Sequence, residues 1–363
     1  QRQTYRNTDR HKNEKLSVLL NWLPFCFFVI LFKGSRSSLR DISCGVPQGS
    51  ILGPLLFIIY INDLLKASSL VEFLLFADDT SIFISGNCLH DLISTMNNEL
   101  VGIDEWFRSN KLSLNMDKTN YILFRTRHKS SHCDNFLNLN GCSIRCVSSL
   151  KFLGVVIDEH LDWSKHISFI ESKISKNIGV IYRISKFVDK KILKLLYYSL
   201  IYPYLTYCNI VWAANYPTKL RGLHILQKKV IRIIFHLPYR ASTGPTFAAN
   251  ELLNIYQLNK FQTCLFMSKY DSGDLPNVFV HMFRKNSDIH SFTLRSSNNY
   301  RSELSVTTFN GLSICCRGPR LYNSLSSNLK TINSTSLFKK CLKSFILLSN
   351  WIFLPFSYRI VLT

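Results

Sequence analysis

The sequence predicts an α+β chain: a small antiparallel sheet with helices, then an all-α segment and a helical C-terminal region. Three observations predict it. Residues 72–85 are two strand-length apolar runs on either side of Ala77-Asp78-Asp79-Thr80, which is turn chemistry. Residues 89–109 place apolar side chains three to four positions apart. After Trp163 the helical period runs throughout.

Taken in order, residues 16–32 are apolar except for Ser17 and Asn21, and Arg10, Lys12, Lys15, Lys33 and Arg36 flank them. The run is at the short limit for a membrane span, and Pro24 interrupts it. A membrane anchor is one reading; out-of-frame translation of decayed sequence is the favoured one. In Gly45-Val-Pro-Gln-Gly-Ser50, Gly45 and Gly49 let backbone approach a ligand closely, and Pro47 stiffens the turn. Gln48 sits at the apex of that loop, where an amide could contact a base or sugar. From Ile51 to Ile61 the run is apolar, which predicts a loop leading into a buried helix. A punctuated helix start without a ligand is the plain alternative.

Leu92, Met96, Leu100, Ile103 and Trp106-Phe107 define a helix expected to pack beneath the 72–85 hairpin. Residues 115–119 predict a turn and 121–124 a strand. Residues 125–149 read as a hairpin or loop insertion, and 150–157 as a strand pair around Gly154. Ile167, Ile170, Ile174, Ile178 and Ile181 form one helical stripe. Ile192, Leu195, Leu196 and Leu200 predict a second, interrupted at Pro203. Leu220, Leu223, Leu226, Val230, Ile233 and Leu237 predict a third, capped by Thr218. Lys228, Lys229 and Arg232 lie off that stripe and could face a phosphate backbone; a solvated helix face is the alternative. Core packing is expected for most of Tyr197, Tyr198, Tyr202, Tyr204 and Tyr207. Residues 241–330 give weak signals, and the last stretch suggests a helix followed by an apolar tail.

The chemistry concentrates at Asp78 and Asp79. Adjacent carboxylates repel unless a cation sits between them, and hard oxygen ligands suit Mg²⁺. Mg²⁺ shared between carboxylates and substrate phosphates is the chemistry of nucleotidyl transfer. An Asp-Asp turn facing water is the alternative.

Together these segments resemble the reverse transcriptase of a non-long-terminal-repeat (LINE-type, jockey-like) retrotransposon. Gly45-Val-Pro-Gln-Gly-Ser50 is similar to that family's motif B, and Phe76-Ala-Asp-Asp79 to its motif C. Asn110-Lys-Leu-Ser-Leu-Asn-Met-Asp-Lys-Thr119 resembles motif D, which places the motif D lysine on Lys118. Leu150-Lys-Phe-Leu-Gly-Val-Val-Ile-Asp158 resembles motif E, and Gly318-Pro-Arg-Leu-Tyr-Asn-Ser324 a segment that recurs after the thumb.

The resemblance implies a partial polymerase palm over residues 34–160, a helical thumb over 161–240 and a C-terminal helical or mixed region over 241–363. Residues 1–33 are expected to be an apolar and basic segment outside the family. It implies Asp78 and Asp79 as Mg²⁺ ligands and Lys118 as an aid to the leaving pyrophosphate. Pro47, Gln48, Gly49, Phe76 and Ala77 would shape the substrate pocket. Lys228, Lys229 and Arg232 would bind nucleic acid. The implied partners are an RNA template, a DNA primer and deoxynucleotides.

The sequence departs from the family in two respects, and one is that nothing in residues 1–33 resembles the family's fingers subdomain. The acids ahead of Gly45 are Asp9, Glu14 and Asp41, and none has the context of the family's motif A aspartate. The expectation is therefore a carboxy-terminal polymerase fragment, inactive alone. A non-catalytic basic remnant that binds nucleic acid is the second reading.

Composition sharpens the choice. The net charge is +21, but residues 51–150 are net −2 while 151–240 are net +10. The one segment with excess acid contains the Asp pair, and a polyanion would be drawn to the helices after it. Eleven cysteines without paired spacing point to reduced thiols and an intracellular location, nuclear or cytoplasmic.

Overall fold

The computed structural model describes residues 49–126, 137–289, 296–303 and 308–348, together with 27–28, 31–32, 35–36, 38 and 40–41. The chain forms two compact units, Gln1–Ser148 and Ser149–Thr363. Small sheets, nearly all antiparallel, and helices make up the first; helices dominate the second.

In the first unit, β1 (Phe27–Phe28) pairs with β4 (Arg40–Asp41), and β2 (Leu31–Phe32) with β3 (Ser35–Arg36). Helix α1 is Leu52–Ile61, and the Ser50 hydroxyl accepts the Gly53 N–H at 3.0 Å in its first turn. The hairpin follows: β5 (Glu72–Phe76) against β6 (Asp79–Phe83), with Phe76 opposite Asp79. Helix α2 is Leu89–Ser109. Ile103 and Phe107 of α2 join Ile61, Leu64 and Val71 in a core flanked by Phe73, Leu75 and Ile82 of the hairpin. The helix therefore packs beneath the hairpin, as its apolar spacing predicts.

The same helix serves a second layer. Leu100 packs with Leu137 and Leu139 of β8 (Leu137–Leu139) and Ile144 of β9 (Cys142–Cys146). Asn140 and Gly141, both at positive φ, turn that hairpin. Strand β7 (Asn120–Tyr121) adds to β9 in parallel and is shorter than the predicted 121–124 strand.

The expectation of a buried first helix is corrected. Only Gly53 and Ile61 of α1 are buried, and Leu52, Leu55, Ile58 and Ile59 are each at least half exposed. A helix that is apolar all round needs cover on every side, and within this unit one side meets the core through Phe57 and Ile61.

The second unit opens with a hairpin, β10 (Ser149–Phe152) and β11 (Val155–Asp158), turned at Leu153-Gly154. The isoleucine stripe is buried along α3 (Ser164–Ile184). Next comes α4 (Lys190–Leu200), whose inward row is Leu193, Tyr197 and then Ile201. The predicted row holds in half: Leu196 and Leu200 pack against the core, whereas Ile192 and Leu195 are exposed. Helix α5 (Tyr202–Thr206) restarts the chain with Pro203 in its first turn, followed by α6 (Asn209–Trp212).

Helix α7 (Pro217–Ile234) buries Leu220, Leu223, Val230, Ile231 and Ile234. Thr218 does not cap it: Tyr216 holds that position and Pro217 begins the helix. Gln227 is buried and fully used, donating to the Tyr197 hydroxyl and the Leu253 carbonyl and accepting from the Ile255 N–H. After α8 (Gly244–Ala249) comes α9 (Ile255–Asp271), opened by a reciprocal Asn254/Gln257 cap. Helices α10 (Thr308–Leu312), α11 (Ile314–Asn323), α12 (Ser327–Lys330) and α13 (Thr335–Leu348) complete the unit. No helix among the described residues is long and apolar enough to cross a membrane. The candidate anchor at 16–32 lies largely outside them.

Candidate functional site

Phe76, Ala77, Asp78 and Asp79 form the tip of the β5–β6 hairpin. Two residues, Ala77 and Asp78, make the turn, and Asp79 already belongs to the strand. Ala77 stands at φ +51°, a conformation that costs a residue with a Cβ roughly 1 kcal/mol. The turn thus throws the two acids outward at a backbone position under strain. Strand alternation places Leu74, Phe76 and Asp79 on one face, opposite the face that carries Phe73 and Leu75 into the core. That outer face is open: Phe76, Ala77, Asp78 and Asp79 are all exposed. Neither carboxylate has a hydrogen bond or ion pair among the described residues.

Gly49, at φ +89°, precedes α1 with nothing near the position of a Cβ. Pro47 and Gln48 lie outside the described residues. Lys118 is exposed in the turn after α2, where its N–H donates to the Asn115 carbonyl at 3.1 Å. Leu112 and Leu114, just before it, pack on the same core as α1 and the hairpin. One small core therefore carries all three segments, although no bond joins Gly49 or the Lys118 backbone to the Asp pair.

Two neighbouring exposed carboxylates suit a hard cation that takes its other ligands from water and phosphate oxygens. No group of three His, Cys, Asp or Glu residues gathers as a metal cage among the described residues. The Asp pair thus fits Mg²⁺ as part of a larger donor set rather than as a complete one.

The basic trio of the third stripe separates. Lys229 is exposed. Lys228 and Arg232 are half-buried and line a cavity of about 500 Å³ together with His224 and Arg240. His224, Lys228 and Arg232 follow each other at four-residue intervals, the signal that assigns them to one helix face. Sequence reasoning missed His224 and Arg240. Burial and the neighbouring Lys228 charge push the His224 imidazole down to about 4. The tyrosines also divide: Tyr197 is buried, while Tyr198 and Tyr207 are substantially exposed.

Residues 4–157 match the family described as reverse transcriptase (RNA-dependent DNA polymerase). That match begins upstream of residue 34, where the motif resemblance starts. The chain is similar to the RNA-directed DNA polymerase from mobile element jockey of Drosophila melanogaster, 27% identical over 239 residues, covering 62% of this chain and 25% of that protein. The jockey polymerase of Drosophila funebris is 27% identical over 228 residues, 60% of this chain and 24% of that protein. A retrovirus-related Pol polyprotein from type-1 retrotransposable element R1 of Bradysia coprophila is 29% identical over 178 residues, 48% of this chain and 18% of that protein. The chain spans about a quarter of the length of the two jockey relatives. No solved structure matches it.

Proposed function

We propose that this chain, a member of the reverse transcriptase family of non-long-terminal-repeat retrotransposons, supplies the metal-binding hairpin and the duplex-gripping helices of an RNA-directed DNA polymerase. One observation carries the reading: Asp78 and Asp79 stand exposed and unpaired at the tip of a strained two-residue turn. In this reading residues 34–160 act as palm and 161–240 as thumb.

The reaction joins the primer 3′-hydroxyl oxygen to the α-phosphorus of a deoxynucleotide and breaks the bond to pyrophosphate. Bound Mg²⁺ would make that hydroxyl more acidic and neutralise charge on the leaving oxygens, as a two-metal site does. Asp78 and Asp79 would hold it on the hairpin. Phe76 and Ala77 fix the tip. Gly49 would let backbone approach the nucleotide, and the roles of Pro47 and Gln48 in the substrate pocket are those the family resemblance implies. Lys118 donates charge or a proton to the leaving pyrophosphate. Basic side chains of the helical unit hold template and primer.

The test is a Mn²⁺ titration followed by paramagnetic relaxation of water, on the full chain and on Asp78→Ala/Asp79→Ala. Two carboxylates alone give weak binding, so enhancement is expected at high micromolar to millimolar metal, on the order of the weakest carboxylate sites. The double variant should lose it. Equal relaxation in the two proteins would remove the metal site and the polymerase reading with it.

A further inference from the structure

We propose that a second cavity of the helical unit, between α4 and α13, is a docking pocket for an acidic peptide segment of another protein, which inserts one large apolar side chain flanked by carboxylates. The cavity has a volume of about 250 Å³. Tyr197, Tyr198 and Tyr202 form its wall with Leu252, Leu253 and Phe261. Tyr197, Leu252 and Leu253 are buried, whereas Tyr198 is 41% exposed and opens the wall to solvent.

The opposite edge is basic. Lys339, Lys340 and Lys343 of α13 line it, and Glu251 is the acid among the lining residues. Lys343 engages the Glu251 carboxylate at 3.4 Å. Lys339 and Lys340 are exposed and have no ion pair among the described residues. Burial lifts the Tyr198 and Tyr202 hydroxyls above the ordinary tyrosine range, so the wall adds no negative charge. An apolar interior beside surplus positive charge is complementary to an apolar group with carboxylates next to it.

The outer side of α4 leads to the same place. Ile192, Leu195 and Tyr198 follow each other at three-residue intervals and are 46%, 67% and 41% exposed. An exposed apolar row that ends at a pocket marks a contact surface for a chain longer than one residue.

Size and ring geometry choose among occupants. The volume falls below the roughly 300–1,000 Å³ of a site for a whole small molecule and suits one phenylalanine or leucine side chain, the usual anchor of a protein contact. A nucleobase asks for a flat slot between parallel rings. Here the Tyr198 ring stands edge-on to Tyr197 and Tyr202, at 74° and 64°, with centroids 5.4 and 5.2 Å apart, which leaves no such slot. Phosphates could meet the lysines, but Ile192 and Leu195 offer a nucleic acid nothing. A second copy of the chain would bring a net charge of +21 to a basic edge, which disfavours self-association.

The test uses the full chain and fluorescence anisotropy of a short labelled peptide with one central phenylalanine between runs of glutamate. Divalent metal is left out, so this pocket and the Asp78–Asp79 site stand or fail separately. Replacing the peptide's phenylalanine by serine is expected to weaken binding about tenfold or more. Lys339→Gln/Lys340→Gln should weaken it about three- to tenfold and flatten its salt dependence. Lys176→Gln, exposed on α3 outside the pocket, should change affinity by less than about twofold. Near-ultraviolet circular dichroism checks folding, and exposed Lys339 and Lys340 are least coupled to the core. Equal affinity for the phenylalanine and serine peptides, or equal losses at Lys176 and the Lys339/Lys340 pair, would overturn the pocket in favour of diffuse attraction. A labelled oligodeoxythymidine is titrated in parallel on wild type and Tyr198→Ser. The substitution should weaken the peptide and leave the oligonucleotide within about twofold; a loss as large for the oligonucleotide would make this a base-binding site and overturn the peptide as occupant.

Discussion

Asp158 closes the segment that resembles motif E and holds the chain as it leaves the hairpin for α3. Its buried carboxylate accepts the N–H groups of His160 and Asp162, each at 3.1 Å, and of Trp163 at 2.9 Å. Leu161 and Trp163 within that loop stand at positive φ, +51° and +64°. Three charge-assisted bonds therefore offset a backbone that would otherwise relax. Asp158→Ala should cost about 2–4 kcal/mol, and Asp158→Asn less because one acceptor oxygen remains. Urea unfolding measures both; a loss under about 0.5 kcal/mol for Asp158→Ala would show the loop held by something else. Asp271 plays a comparable part later in the chain. Burial pushes its carboxyl up, but bonds from Lys285, Tyr300 and Tyr322 outweigh burial and hold it below the usual carboxylate range.

At the scale of elements, helix contact depends on where side chains are missing. Gly318, in the segment resembling the family's recurring Gly-Pro-Arg-Leu-Tyr-Asn-Ser run, lies in α11 against α9. A Cβ there would meet the Met267 sulfur at 2.8 Å and Ile314 Cδ1 at 3.3 Å. Met267 is completely buried and has little room to move. Gly179 in α3 is the contrast, since nothing lies within 4 Å of its Cβ position. Gly318→Ala is expected to destabilise by about 1–3 kcal/mol through overpacking. Gly179→Ala should stabilise by up to about 1 kcal/mol through helix propensity. Denaturant midpoints of the two variants check the signs; an unchanged or raised midpoint for Gly318→Ala would mean that the α9–α11 contact is not tight.

Across the whole molecule, charge and chemistry are divided between the two units. Gln1–Ser148 is net +3 and holds the Asp pair, whereas Ser149–Thr363 is net +18 and holds the cavity lined by Lys228, Arg232 and Arg240. Nucleic acid binding and metal binding should therefore be separable by mutation. Catalysis asks for more. Asp9, Glu14 and Asp41 are the acids ahead of Gly45, and none stands in the context of a motif A aspartate. A nucleotidyl-transfer site limited to two carboxylates loses several kcal/mol of transition-state stabilisation, a rate loss on the order of a thousandfold or more. The 363-residue polypeptide is thus expected not to extend a primer on an RNA template with Mg²⁺ above an Asp78→Asn background. Clear extension would show that Asp41, or an acid from a second chain, completes the site.

The sequence by itself determined what depends on short-range pattern. Alternation around Ala77-Asp78 specifies the hairpin, and three-to-four spacing specifies α2 and the isoleucine face of α3, because strand and helix periods follow from backbone geometry alone. Tertiary packing decided which face turns inward when several are apolar. In α4 both Ile192 and Leu193 could have been core, and contact with the buried Tyr197–Gln227 pair selected the Leu193 row. In α1 every side is apolar, so no pattern could tell which side the core would cover. The cavity beside α7 joins a helix face to Arg240 across a loop, and nothing in local spacing places that residue beside Lys228. Side-chain periodicity is written within each element; the meeting of elements follows from the burial each can gain, which is a property of the folded unit.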